Sequence, residues 1–284
     1  MGINFSKVNY TYAPQKKKVK NKYILEDINL TISEKNEFIT IVGHTGSGKS
    51  TLVQMMNALL VPTTGSVTVF GNEITYKKQK NLKRLRKNVG LVFQFPEYQL
   101  FEETVLKDVC FGPKNYKLEN PVAKAKEALT SVKIYEDKYE KSPFRLSGGE
   151  KRKVAIAGIL ASEPNLLILD EPTVGLDPQT KKELLLLLKE INKEKTIIII
   201  THDMNALWEV STRVIVLDDK KIVYDGDKYT LFKNEELVRK HSLDYPDIIK
   251  IMNTIKEKTG KDMDVYKENI DDAFDELLKV FGNE

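Results

Sequence analysis

The chain opens with an alternation of apolar and polar positions, so Ile3, Phe5, Val8 and Tyr10 predict a first strand and Ile28 to Ile32 a second. Between them the lysine-rich run Lys16, Lys17, Lys18, Val19 and Lys20 reads as a solvated hairpin loop. Phe38 to Val42 is a short, wholly apolar run, as a strand buried on both faces requires, and it ends in a glycine-rich turn. Beyond that turn Leu52, Met55, Met56, Leu59 and Leu60 have helical spacing. Pro62 to Gly65 breaks this helix, and Val67 to Phe70 predicts another strand that turns at Gly71 and Asn72.

From Val105 to Ala161 the period is helical, with Pro113, Pro121 and Pro143 separating short helices, which predicts a helical insert. The sheet then resumes. Leu166 to Leu169, Ile197 to Ile200 and Val214 to Leu217 are leucine-rich or β-branched runs separated by a helix, the rhythm of a parallel sheet. After Asn234 two amphipathic stretches predict a helical tail: Ile248, Ile249, Met252 and Ile255, then Ile270, Phe274, Leu277, Leu278 and Phe281. No repeat of solenoid period interrupts this order.

A length of 284 residues suits one large α/β domain with an appended tail. Hydrophobic residues at 41% and charged residues at 30% exclude a disordered chain and a membrane-embedded body, and no apolar run is long enough to cross a bilayer. The net charge of +4 is too small an excess to indicate nucleic acid. The one cysteine, Cys110, cannot form an internal disulfide, which fits a reducing cytoplasm and a packed core position. The N-terminus lacks the apolar segment of a secretory signal.

Specific chemistry begins at Gly43-His44-Thr45-Gly46-Ser47-Gly48-Lys49-Ser50, followed by Thr51, a phosphate-binding loop placed between a buried strand and a helix. Its glycines let backbone amides close around phosphate oxygens at a positive helix N-terminus. Lys49 is suited to reach the β and γ phosphates of ATP, and Ser50 to ligate Mg²⁺. Leu166-Leu167-Ile168-Leu169-Asp170-Glu171 puts two acids at the end of a strand expected beside the phosphate-loop strand. There Asp170 would hold Mg²⁺ through water and Glu171 would polarise the attacking water. Taken alone, two acids at a strand end are often only a capped end, and the phosphate loop gives them their weight.

Leu146-Ser147-Gly148-Gly149-Glu150-Lys151-Arg152 precedes a helix and resembles the signature motif of ABC ATPases. In that family the serine and glycine amides grip a γ-phosphate held by a partner subunit, which assigns Ser147, Gly148, Gly149 and Glu150 to a site completed in trans. Glu150 departs from the more usual glutamine. The family's remaining motifs come in order. Gln94 matches the Q-loop and its metal contact, Gly175-Leu176-Asp177 the D-loop, His202 the switch histidine, and Tyr12 the aromatic on which adenine stacks, with Tyr10 an alternative. The fold implied is a P-loop NTPase of the ABC type: a mostly parallel sheet core, an antiparallel β subdomain and a helical subdomain at about residues 105–160, together spanning 1–233. A C-terminal helical dimerisation extension would occupy 234–284.

The stretch from Phe93-Gln94-Phe95-Pro96-Glu97 to Thr104-Val105, the segment from Ile41 to Gly48, and Ser142-Pro143-Phe144 look like the second ATPase of energy-coupling factor transporters, of the CbiO type. That resemblance implies a second homologous ATPase subunit, a transmembrane coupling protein above both, and substrate-binding membrane subunits that deliver a vitamin or a metal ion. It implies a peripheral position on the cytoplasmic face of the cell membrane, and no nucleic acid. Glu97, Glu102 and Glu103 fall where the family receives basic coupling helices, although as plain chemistry they are equally a solvated face. ABC proteins of DNA repair carry coiled-coil or zinc-binding insertions, and neither heptads nor cysteine clusters occur here.

Overall fold

The computed structural model describes residues 2–13, 22–34, 36–77 and 79–282, and the lysine-rich stretch Lys16 to Lys20 lies outside them. In chain order the first elements are β1 (Ile3–Tyr10), β2 (Leu25–Ile32), β3 (Phe38–Val42), α1 (Lys49–Met56), β4 (Thr64–Val69), β5 (Asn72–Ile74), α2 (Leu82–Asn88) and β6 (Val89–Val92). The helical insert comes next as α3 (Val105–Asn115), α4 (Pro121–Ser131) and α5 (Gly148–Leu160). The chain returns through β7 (Leu166–Asp170), α6 (Pro178–Asn192), β8 (Thr196–Ile200), α7 (Met204–Val210), β9 (Arg213–Asp218) and β10 (Lys221–Gly226). It ends in α8 (Lys228–Lys233), α9 (Glu235–Lys240), α10 (Asp247–Thr259) and α11 (Ile270–Phe281).

Two sheets result. One is antiparallel, in the order β2-β1-β4-β5, and the other runs β10-β9-β3-β8-β7-β6, parallel except for the β10/β9 hairpin. Strand β8 therefore lies between β3 and β7, which corrects the expectation that the acid-pair strand adjoins the phosphate-loop strand. The most apolar run, Thr196 to Ile200, takes the interior position because it has neighbours on both edges and core on both faces. Alternate residues of β8 show this, and β7 beside it does the same: Ile198 and Ile200, with Leu166 and Ile168, pack with the antiparallel sheet and α1, while Ile197 and Ile199, with Leu167 and Leu169, pack with the helical insert and α6.

Two local backbone features add to the sequence reading, the first inside a strand whose four expected inward residues, Ile3, Phe5, Val8 and Tyr10, are all buried. In β1 the buried positions change from odd to even between Phe5 and Val8, because a bulge there places Lys7 at φ 48° and shifts the register against β2. Helix α1 stops at Met56, and Ala58 turns at φ 54°, so Leu59 is left exposed rather than on the helix face. A separate cluster joins β9 to the tail: Val214, Val216, Trp208, Leu231 and Phe232 share a core with Val238 and Ile249. Lys228 seals this seam, its ammonium 5.0 Å from the Trp208 ring centre and 3.3 Å from Glu268.

The burial of Phe232 predicts a measurable contrast with the tail's outer face. Phe232 is 0% exposed and Phe274, on α11, is 58% exposed. Phe232→Ala is expected to cost about 3–5 kcal/mol in denaturant unfolding of the single chain, and Phe274→Ala within about 0.5 kcal/mol of nothing. Equal losses at the two positions would contradict this placement of the core.

Candidate functional site

The geometry of the site starts from strand register. Ile41 of β3 pairs with Ile200 of β8, and Ile200 pairs with Asp170 of β7, so the three strands reach one level together. The segments that leave these strands therefore gather at the same edge: the phosphate loop after Val42, Glu171 after Asp170, and His202 shortly after Ile200. Backbone bonds tie these exits, with Glu171 N donating to Ile200 O at 2.9 Å and Thr201 N donating to Ile41 O at 3.3 Å.

In the phosphate loop Gly43, Gly46 and Gly48 have φ of 147°, 83° and 105°. Gly43 has a second constraint, since a Cβ there would lie 2.0 Å from the Leu217 carbonyl oxygen. Lys49 curls back over the loop, donating to Gly43 O at 2.8 Å and His44 O at 2.9 Å. Burial pushes its ammonium below the ordinary lysine range, opposed by the negative charges of Glu171 and Asp170. Ser47 is buried, and its hydroxyl oxygen has no partner. His44 is exposed; its Nδ1 lies 2.8 Å from Thr45 O and its Nε2 3.1 Å from Asp218 Oδ1. Asp218 also accepts from His241 Nδ1 at 2.7 Å, so one carboxylate joins the loop to the tail.

Burial raises the Asp170 carboxyl above its ordinary range, with the Ser50 hydrogen bond and the Lys49 charge working the other way. Glu171 sits in the left-handed region at φ 49°, an uncommon conformation for a residue with a side chain. Its Oε1 meets His202 Nδ1 at 3.0 Å, and its Oε2 is buried without a partner. A hydroxyl and a carboxylate in contact, Ser50 and Asp170, are the hard oxygen donors Mg²⁺ prefers, and the orphaned Ser47 and Glu171 atoms leave polar capacity for a bound nucleotide and water. The donor set thus fits MgATP.

Tyr12 and Tyr10 separate clearly. Tyr10 is 7% exposed, whereas Tyr12 is 63% exposed, meets the Tyr10 ring edge to face at 5.0 Å and has its hydroxyl 3.0 Å from Thr51 Oγ1 on α1, so of the two it is Tyr12 that offers an exposed ring beside the phosphate loop. Gln94 is exposed two residues beyond β6, the strand paired with β7. Asp177 caps α6, accepting from Thr180 N at 3.0 Å and Thr180 Oγ1 at 2.6 Å.

Ser147 caps α5 in a reciprocal capping box. Its hydroxyl accepts from Glu150 N at 3.3 Å, and Glu150 Oε2 accepts from Ser147 N at 2.9 Å. Gly148 and Gly149 form the first turn above it, where a Cβ on Gly149 would come within 2.8 Å of Thr180. Sequence reading gave no role to Arg152, two residues past Glu150. It is 5% exposed, donates to Pro172 O at 2.7 Å and Val174 O at 2.9 Å, and meets Glu97 at 3.4 Å. Glu97 is therefore an internal ion-pair partner rather than a solvated acid, and the outward acidic positions reduce to Glu102 and Glu103, the latter paired with Lys107. A charged residue on the core side of a signature helix was the available signal.

Many nucleotide-binding folds gather a phosphate loop and an acid pair at one sheet edge; the insert of α3 to α5, with its Ser-Gly-Gly turn, narrows the class to ATP-binding-cassette ATPases. The family model for the ABC transporter matches residues 25–174. The energy-coupling factor transporter ATP-binding protein EcfA2 of Clostridium tetani is 44% identical over 97% of this chain and 96% of its own length. Its counterpart in Streptococcus pyogenes is 47% identical over 91% and 92%. Among solved structures, cbiO1 from Clostridium perfringens, described as part of an ABC transporter complex, superposes with a TM-score of 0.73 at 37% identity, covering 88% of this chain and 98% of that one. A dimeric ATP-binding cassette in a post-hydrolysis state with ADP and Pi gives 0.68 at 31% identity, over 79% and 98%. The chain belongs to the ABC transporter ATPases and, within them, to the energy-coupling factor transporter ATP-binding proteins. Its activity is transport-coupled ATP hydrolysis.

The half-buried carboxylate of Asp170 makes a stability prediction. Asp170 ionises at higher pH folded than unfolded, so its contribution favours the folded state in acid and is lost as pH rises through its folded pKa. At neutral pH it is a liability. Asp170→Asn is expected to raise the Tm of the nucleotide-free chain at pH 7.5. The gain should vanish below the ordinary carboxylate range. A lower Tm at pH 7.5 would refute it.

Proposed function

We propose that this chain is one half of a composite ATPase that powers an importer of vitamins or transition-metal ions. It works with a second homologous ATPase subunit beneath a transmembrane coupling protein, and reaches the substrate-binding membrane subunits only indirectly. Its place is peripheral, on the cytoplasmic face of the membrane; among the described residues no helix is long and apolar enough to cross one.

The observation that carries the hydrolytic role is Glu171, with one oxygen held by His202 and the other buried and free. That arrangement suits a group that orients an attacking water, and His202 keeps the carboxylate aimed. Ser50, Gln94 and Asp170 would hold Mg²⁺, which supplies charge neutralisation on the phosphates. Residues Gly43 to Lys49 grip the phosphates, Ser50 and Thr51 continue that grip at the start of α1, and Tyr12 stacks adenine.

The composite character rests on where the two phosphate-binding elements find their neighbours. Lys49 faces Asp170 and Glu171, whereas the contacts of Ser147 are with Glu150 in its own helix turn. Ser147, Gly148, Gly149 and Glu150 are then left to meet the nucleotide of a partner ATPase, and Asp177 stands at the same junction. Dimeric cassettes among the similar structures support this pairing. Helix α11 offers a further surface: Ile270, Phe274 and Leu278 are exposed along one face, suited to dimerisation.

Glu171→Gln should keep ATP binding, lower turnover by about 10²–10³-fold and leave ATP-bound dimers on size-exclusion chromatography. Near-normal turnover would assign the water to another residue. For the composite reading, the specific ATPase rate of the isolated chain should rise with protein concentration, and Phe274→Glu combined with Leu278→Glu should shift that rise to higher concentration. Concentration-independent turnover by a proven monomer would overturn it.

A further inference from the structure

The signature turn carries an acid where it must approach the most negative part of a nucleotide. Glu150 has 28% of its side chain exposed, so its charge is felt at the surface. Its Oε2 accepts from Ser147 N at 2.9 Å and from Ser147 Oγ at 3.0 Å, so Ser147 spends its hydroxyl proton inside its own turn. A hydroxyl committed in this way cannot donate to a phosphate. The second oxygen, Oε1, is taken by Lys138, which stands in the 3-10 turn Glu136–Lys138 between α4 and α5. Together these contacts hold the Glu150 carboxyl down at about 2, the lysine being the largest cause and the Ser147 backbone the next. It is a full anion at any working pH.

We propose that Lys138 is a positioning residue of the signature: it neutralises Glu150 and keeps that carboxylate to one side, so that Ser147 can exchange its bond to Glu150 for one to the γ-phosphate of the partner's ATP. This rests on the composite reading of the site. Two physical demands meet at this residue. A bare carboxylate beside a triphosphate repels it, and in a partly desolvated interface that repulsion is not screened as it is in water. When the Ser147 hydroxyl turns to phosphate, Glu150 keeps the Ser147 N–H but loses one of the two donors on Oε2, and a contact elsewhere must help hold its place. Lys138 meets both demands, because its contact is to Oε1 and is independent of the Ser147 contacts to Oε2. Glutamine would need no such partner, being uncharged, so Lys138 matters only because position 150 is an acid. Nearby charges do not replace it: Asp137 adds negative charge and pairs with Lys141 at 3.6 Å.

The test is a double-mutant cycle on ATP hydrolysis by the chain assembled with its ATPase partner and transmembrane subunit. Lys138→Ala in the native background should raise KM for ATP and lower kcat/KM about tenfold, and Lys138→Arg should restore most of it. In the Glu150→Gln background Lys138→Ala should change kcat/KM less than about twofold. Lys138→Gln, which keeps much of the side-chain length, serves as the second variant if the alanine form does not fold. Equal losses in both backgrounds would show that Lys138 only braces the turn, and no loss in the native background would show that the repulsion is not there; either result overturns the proposal. ATP-induced dimerisation of Glu171→Gln separates the two levels: no dimer sinks the composite reading, whereas a dimer indifferent to Lys138→Ala sinks this inference alone.

Discussion

The constraint on which everything else depends is that β3, β8 and β7 end at one level. Three segments far apart in the sequence become neighbours only because their registers agree, Ile41 against Ile200 and Ile200 against Asp170. A slip of one residue in any pair would turn its side chains from one core to the other, because Leu166 and Leu167 belong to different clusters. Register is thus fixed by packing on both faces, and the chemistry inherits that precision. Burial of this kind also explains the electrical character of the edge: Lys49 is pushed down and Asp170 pushed up because water is scarce there, and each partly compensates the other.

Much of this was legible in the chain itself. The apolar runs of β3, β7 and β8 announce strands buried on both sides, and the glycines of the phosphate loop announce backbone conformations that other residues resist. Strand order was not legible, because periodicity says that a strand has two covered faces but not which strands flank it. The bulge at Lys7 and the early end of α1 were hidden for a related reason: both are backbone excursions to positive φ by residues other than glycine. No composition rule marks such positions. The acidic stretch divides once its contacts are known. Glu97 looks like Glu102 and Glu103 on paper, and differs because Arg152, seen in sequence as one more helix residue, reaches it from inside.

The interior arginine has a wider meaning for how the parts hold together. Arg152 starts on the signature helix, bonds to carbonyls just past the acid pair, and closes on the segment after Gln94. Three loops that a sequence reader treats as separate motifs are therefore one braced unit. Removing the guanidinium would leave two carbonyls and a carboxylate to find other partners, a larger disturbance than the loss of a surface pair.

Asp218 serves two histidines at once, His44 in the phosphate loop and His241 just past α9. For anyone building chimaeras, this means that the tail is not a detachable module. A foreign extension grafted after α8 brings its own residue to position 241, and unless that residue can donate to Asp218, the link between the phosphate loop and the tail through this carboxylate is lost. Swapping tails between relatives would then require exchanging the 218 and 241 pair together, with His44 as the third member of the set.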